Sequence, residues 1–292
     1  MNGILLVDKP GGWTSFDVAA KLRGLSKTRR IGHSGTLDPM ATGLLVMFLG
    51  RATRAVPFAE DHDKRYIASL RPGLVTDTQD VTGSVLERKA CSVTDEALEE
   101  ALRAFRGEIE QLPPMYSAIR VDGRRLYEIA RRGGEVERKP RPVTIRSLEL
   151  LGRDENGDFL LDVRCSKGTY VRTLCHDIGR SLGCGACLSA LRRVEVGAFS
   201  VDDAYTMDEL VEAAAGGKLE SLLLGVEALF PDMRKLFADA EAEKRIRCGN
   251  PVETAEADGR ALVCGADGKL LMLGEVRDGL LYTVKSFFEV DS

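Results

Sequence analysis

No stretch of this 292-residue chain is apolar for long enough to cross a membrane, and its opening, MNGILLVDKP, has no basic leader and too short an apolar run for a signal peptide. A cytoplasmic location without membrane association is the expectation. Disulfide scaffolding is also missing. The seven cysteines, at 91, 165, 175, 184, 187, 248 and 264, are odd in number and scattered, which suits reduced thiols. Cys184 and Cys187 form a C-x-x-C, but no second pair or nearby His-x-His supplies the remaining ligands of a tetrahedral zinc. His33, His62 and His176 are too separated to suggest a metal by spacing, so none is expected. The motifs G-x-x-x-x-G-K-[ST], G-x-G-x-x-G after a strand and H-E-x-x-H are all absent, which leaves side-chain chemistry as the field. Long internal repeats and low-complexity tracts are absent too.

What is present is the composition of an ordinary globular protein, 44% hydrophobic and 29% charged, with a length that allows one large domain plus a small appendage. The net charge of −4 and pI near 5.6 argue mildly against a nucleic-acid partner. Charge is unevenly spread, however. From Arg120 to Arg146 nine basic residues (Arg120, Arg124, Arg125, Arg131, Arg132, Arg138, Lys139, Arg141, Arg146) face four acids, whereas from Ser200 to Glu243 eleven acids face three bases. This asymmetry suggests one phosphate-attracting face and one that keeps the protein soluble, or simply two solvated surfaces.

Along the chain, Gly3 to Val7 reads as a buried strand stopped by Pro10-Gly11-Gly12. A helix follows, capped by Thr14 or Ser15, with Phe16, Ala19, Leu22 and Leu25 at helical spacing. Arg30 to Gly43 has little periodicity and leads into an apolar strand, Leu44 to Leu49. Thr94 caps an amphipathic helix through Phe105, Phe159 to Cys165 alternates as a strand, and Val171 to Leu182 reads as a helix. An acidic helical region lies near Ala238 to Arg247, and β-type runs at 260–264, 269–276 and 279–285 are split by Asp267-Gly268 and Asp278-Gly279, both hairpin signals. Strands and helices mix without a βαβ period, which predicts an α+β fold with a β-rich C-terminal appendage.

The stretch Gly32-His33-Ser34-Gly35-Thr36-Leu37-Asp38-Pro39 is the most unusual on the chain. Its glycines permit close backbone approach to a ligand, and Pro39 biases Asp38 toward an extended conformation that projects the carboxylate. Such an aspartate serves equally as a turn residue, a general acid or base, one of a glycosidase pair or a covalent nucleophile. Local sequence does not choose among these.

Five ordered blocks narrow the choice. They are Leu6 to Pro10 with Thr14-Ser15; Gly32 to Gly43, GHSGTLDPMATG; Lys64-Arg65-Tyr66 with Thr76-Asp77-Thr78-Gln79-Asp80; Pro113 to Gly133, PPMYSAIRVDGRRLYEIARRG; and Ser166 to Leu174, SKGTYVRTL, with Leu191-Arg192-Arg193. Together they resemble the TruB family of tRNA pseudouridine-55 synthases over almost the whole chain. Pro72 stands where that family usually has Leu, Val46 where a Pro is common, and Ser34 where Thr is usual.

The resemblance implies a pseudouridine-synthase fold, with a central mixed or antiparallel sheet flanked by helices in a catalytic domain at 1–236 and a PUA-like RNA-binding domain at 237–292. It implies isomerisation of uridine 55 in the tRNA T loop by base flipping, with no cofactor. In that reading Asp38 is the catalytic carboxylate, Arg172 pairs with it through charge-assisted hydrogen bonds, and Tyr66 stacks on the base and takes part in removing the carbon-5 proton. Tyr170 and Leu191 line the uridine pocket, His33 enters the T loop, and Lys9 supports the site. The implied partner is tRNA, gripped at the T arm and acceptor side, by a monomer with no obligatory protein partner. The basic stretch becomes a phosphate-contacting surface. Two other readings stand beside it: an RNA-binding protein or tRNA folding chaperone on the same scaffold, and a hydrolase that would recruit Asp77 or Asp80 as a second carboxylate.

Overall fold

The computed structural model describes residues 1–117, 120–121, 123–126, 129, 134 and 136–288. Arg131 and Arg132 of the basic stretch lie outside the described residues, as do the side chains of Arg120, Arg124 and Arg125. The chain folds as two compact units, Met1–Leu37 with Leu45–Glu60 and Gly197–Ser292, and Asp38–Leu44 with Asp61–Val196.

In the first unit the strand Gly3–Lys9 pairs in parallel with Tyr205–Thr206 and lies next to the strand Thr42–Leu49, whose later residues belong to this unit. The helix Ser15–Ser26 begins at Thr14 because Thr14 and Asp17 exchange side-chain to backbone hydrogen bonds, a capping box. Its buried side is Ser15, Val18, Ala19, Leu22 and Ser26, not the stripe through Phe16. Phe16 is 68% exposed, with the Arg23 guanidinium 5.6 Å from its ring centroid. The two buried serines rotate the face. Ser26 Oγ donates to Leu22 O and Ser15 Oγ bonds the Leu37 backbone, so both satisfy burial without being apolar. Leu5, Val7, Leu22, Leu45, Met47, Leu49 and Leu210 close this core. The segment Arg30 to Gly43 is not all loop, since Ile31–Ser34 pairs antiparallel with residues 46–49.

The C-terminal β-type runs form a five-stranded sheet in the order Lys235–Phe237, Gly259–Cys264, Leu270–Arg277, Leu280–Ser286, Val252–Glu253. The helix Ala240–Arg247, capped by Asp239, closes its small core through Ile246 on Val263, Leu271 and Val276.

The second unit is built on an antiparallel run of strands, Ala186–Val196, Lys64–Pro72, Phe159–Cys165, Arg141–Arg153 and Gly107–Gln111, joined at its start by Thr42 and Gly43 in parallel with Arg192 and Arg193. Helices Asp95–Arg103 and Val171–Ser181 pack on this sheet. Alternation assigns its two faces different work. Arg65 reaches Asp162 at 2.6 Å and Glu195 at 2.8 Å on one face, while the next residue, Tyr66, points to the other among Ala68, Val163, Leu191 and Arg193. Mixed strands and helices without a βαβ period make this an α+β chain, as the sequence predicts.

Gly43 controls how closely Thr42–Leu49 approaches Arg193. It adopts φ +98°, and an added Cβ would collide with the backbone nitrogen and oxygen of Arg193. Gly12 also has positive φ, +80°, but faces open space. Gly12→Ala should therefore destabilise by about 1 kcal/mol and Gly43→Ala by at least about 3 kcal/mol in urea unfolding. Equal losses would mean that the strand crossing at Gly43 relaxes around a methyl group.

Candidate active site

Asp38 is aimed by the residues on either side of it. The Leu37 peptide is held at both ends by buried Ser15, whose Oγ accepts from Leu37 N at 2.9 Å and donates to Leu37 O at 3.2 Å. The Asp38 carbonyl then accepts from Ala41 N at 3.1 Å, closing a turn with Pro39 at its second position, where fixed φ suits it. Asp38 is thus a turn residue, and its side chain is still available for other contacts.

Arg172 comes from the first turn of the helix Val171–Ser181. Gln111, fully buried, fixes that helix start by donating to Tyr170 O at 3.1 Å and accepting from Tyr170 N at 2.7 Å. The guanidinium is enclosed by acceptors. Nε meets Asp38 Oδ2 at 2.8 Å, Nη1 donates to Thr78 O at 3.0 Å and approaches Asp80 Oδ2 at 3.5 Å, and Nη2 donates to Tyr116 O at 2.9 Å. A buried cation needs such a set, because each unmet donor would carry its full desolvation penalty.

The two carboxylates on Arg172 differ in exposure. The Asp80 side chain is only 5% exposed, and its Oδ1 accepts from Thr78 Oγ1 and from Thr82 N, each at 2.9 Å. The Asp38 side chain is 38% exposed. One carboxylate is therefore committed to the protein, while the other, oriented by the same arginine, can be reached from outside. Asp77 is engaged elsewhere, accepting from Ser84 N at 2.8 Å.

Two tyrosines lie in the field of this pair. Burial pushes the Tyr66 phenol above its ordinary pKa, and the Arg193 charge and hydrogen bond pull against that shift. Tyr170 is raised by burial as well, opposed by a hydrogen bond with Ser117 and by the charge of Arg172. Both phenols are held neutral at ordinary pH, and Asp38 acts on each electrostatically. Leu191, opposite Ala68, lies on the Tyr66 face as a buried apolar wall.

The structure brings Asp38, Arg172, Tyr66, Tyr170 and Leu191 together within one unit. His33 and Lys9 belong to the other. His33 lies half-buried on Ile31–Ser34, opposite Met47. Lys9 is fully buried, and its Nζ donates to Pro10 O at 2.9 Å and Trp13 O at 2.7 Å, holding the turn after the first strand. Sequence offered Asp80 only as a hydrolase's second carboxylate and Arg193 only within a motif block, and it did not point to Gln111 at all. Asp80 had a readable signal, since Thr78-x-Asp80-x-Thr82 is the pattern of a carboxylate capping its own loop. Gln111 had none. Among the described residues no group of three or more His, Cys, Asp and Glu side chains is placed to hold a metal.

A fixed and reachable carboxylate beside a cation, a neutral phenol and an apolar wall suits attack on a flat, uncharged ring or on the carbon that bears it. Comparison with known proteins identifies the family. The description "TruB family pseudouridylate synthase (N terminal domain)" matches residues 23–171, and "tRNA pseudouridylate synthase B C-terminal domain" matches 172–231. The chain is 47% identical to the tRNA pseudouridine synthase B of Aromatoleum aromaticum, covering 95% of this chain and 87% of that one. It is 40% identical to the protein of the same name from Salmonella typhi, covering 95% and 92%. Among solved structures, a Cbf5-Nop10-Gar1 complex shares the fold at 24% identity, with a TM-score of 0.74 and 98% of this chain and 85% of that chain covered.

Arg172→Met should destabilise the fold by about 3–5 kcal/mol, because it strands buried Asp80 without its cation. Adding Asp80→Asn to that variant should recover most of the loss in urea unfolding. Additive losses would show that Asp80 is satisfied by Thr78 and Thr82 alone.

Proposed function

The chain belongs to the TruB family of pseudouridylate synthases, and on that footing we propose that it converts uridine 55 in the T loop of tRNA to pseudouridine with Asp38 as the attacking carboxylate. The enzyme is an isomerase acting on uridine in tRNA. The base leaves the ribose through N1, turns, and rejoins through C5; C5 gives up its proton, N1 gains one, and no atom is added or lost. The observation that carries the Asp38 assignment is its 2.8 Å pairing with Arg172 while its side chain stays 38% exposed.

Each remaining role follows from placement. Tyr66 receives the flipped base on its ring, replacing the stacking lost from the RNA, and its oxygen takes the C5 proton. Leu191 and Tyr170 complete the pocket, and Arg172 aims Asp38 through their 2.8 Å pairing. His33 enters the T loop, and Lys9 supports the site by fixing the turn at Pro10 to Trp13. The five-stranded sheet Lys235–Ser286 supports a separate PUA-like RNA-binding domain at 237–292 beside a catalytic domain at 1–236, although that boundary falls inside its first strand, Lys235–Phe237. That module grips the acceptor side, the enzyme acts as a cytoplasmic monomer, and base flipping gives it a tRNA-folding activity besides. No helix of the described residues is long and apolar enough to cross a membrane. The hydrolase reading loses support because Asp80 is committed to Arg172, Thr78 and Thr82, and Asp77 to Ser84.

The test is an unmodified tRNA transcript incubated with wild type or Asp38→Asn, followed by chemical mapping of pseudouridine at each uridine. Product should form at position 55 with wild type and fall by more than about 10³-fold in the variant, with tRNA binding retained. Product from Asp38→Asn at the wild-type rate would remove Asp38 from the chemistry. Tight binding without product from either protein would favour the chaperone reading.

A further inference from the structure

Arg193 is among the largest fully buried side chains of the protein, 1% exposed, and a buried guanidinium is an expensive way to fill space. A methionine would fill a similar volume without that penalty. Its position therefore calls for an explanation from its contacts. Nε donates to Leu44 O at 2.7 Å, and the side chain hydrogen-bonds Tyr66, which stands directly opposite Arg193 in the antiparallel pairing of Ala186–Val196 with Lys64–Pro72. Its backbone meets Gly43 and leaves no room for a Cβ there. Thr42 to Leu44 follow immediately on the Asp38–Ala41 turn. Arg193 is thus a brace with one end on the strand that leaves the Asp38 turn and the other on the Tyr66 phenol.

We propose that Arg193 is a positioning residue for the isomerisation, acting through Tyr66 by holding the phenol oxygen and placing a buried positive charge beside it at the site where the rearranged uracil loses its C5 proton. The inference rests on the reading of Asp38 and Tyr66 given above. In the step concerned, the C5–H bond breaks and its proton goes to the Tyr66 oxygen, the bonding pair forms the C5–C6 double bond, and the C6–N1 double bond opens onto N1, which takes up a proton. Tyr66, neutral in the free site, takes that proton as its own passes to solvent, and a guanidinium hydrogen-bonded to the oxygen stabilises the ionised form between the two transfers. Burial and the Asp38 charge both oppose ionisation of Tyr66, so the arginine counters its surroundings. With Arg193 removed, proton removal at C5 becomes the slow step, while flipping and attack by Asp38 are untouched.

Single-turnover rates on a tRNA transcript carrying uridine or 5-deuterouridine separate this from a purely structural role. Arg193→Met should slow product formation by about 100-fold, enlarge the deuterium isotope effect at C5 over that of wild type, and leave tRNA binding unchanged. Arg193→Lys, which keeps the charge, should restore part of the rate and reduce the isotope effect toward that of wild type. In a Tyr66→Phe background Arg193→Met should cause little further loss, since its route of action is already gone. An unchanged isotope effect, or losses that add across the two sites, would overturn the proposal. Full activity of Tyr66→Phe alone would sink the Tyr66 reading on which it rests, and product from Asp38→Asn at the wild-type rate would sink the Asp38 reading. Urea unfolding midpoints of each variant identify a fold defect, and where Arg193→Met does not fold, Arg193→Lys and Arg193→Gln carry the same comparison.

Discussion

The burial of one cation, the guanidinium of Arg172, constrains the rest of the second unit. At 6% side-chain exposure it has to find acceptors in nearly every direction its donors point. It finds them on three separate segments: the Asp38 turn, the loop from Thr76 to Ser84 through Thr78 O and Asp80, and the stretch after Gly107–Gln111 through Tyr116 O. None of these segments is regular structure where it touches the arginine, and each needs a reason to hold one conformation. Their shared partner supplies it. Other bonds around the loop tighten the same arrangement, as where Thr173, the next residue on the helix, donates to Gln79 Oε1 at 2.7 Å and Gln79 itself sits at φ 65°, a conformation uncommon outside glycine.

The two carboxylates on one arginine are not redundant, because exposure separates them. Asp80 is fully engaged by threonines and buried, so it balances the charge of Arg172 from within. Asp38 takes the outer side, where its side chain is 38% exposed. An arginine neutralised only by Asp38 would face an uncompensated charge whenever Asp38 bonded covalently to substrate. With Asp80 in place, the guanidinium keeps a partner throughout such a step. If Asp38 is the attacking carboxylate, as proposed, pairing it with the buried Asp80 keeps the site intact while its charge changes.

Much of this was legible from residues alone, and the reasons are physical. Thr14-x-x-Asp17 is a capping box written in sequence, and Asp278-Gly279 adopts φ 51° and 74°, the left-handed pair that a two-residue hairpin demands. Periodicity located Phe159–Cys165 without error and Val171–Ser181 to within one residue. It failed where burial is carried by small polar groups: the helix Ser15–Ser26 turns on Ser15 and Ser26, and a stripe drawn through apolar residues alone puts exposed Phe16 inside. Asp38 and Arg172 were reached by family resemblance, since Asp-Pro by itself reads as a turn and is one here. Gln111 and Arg193 were not legible at all as site supports, because their importance lies in contacts across 59 residues to Tyr170 and 149 residues to Leu44.

The reaction itself explains why a site this saturated is sufficient. Converting uridine to pseudouridine moves no electrons to an acceptor and releases no group, so the protein has only to hold a base, open one bond, and let the freed ring turn before a second bond forms. Holding favours rigidity and the turn requires clearance. Along one face of the sheet in the second unit, Ala68 and Leu191 present buried apolar side chains beside Tyr66 and Arg193. Polar groups there would catch the freed uracil in a wrong orientation, since its carbonyls and N–H groups bond readily to any donor or acceptor left exposed. The ion pairs of Arg65 and Arg71 lie on the opposite face, where they stabilise the sheet without presenting charge to the turning base. Alternation along Lys64–Pro72 thus fixes on which face charge is available and on which it is withheld.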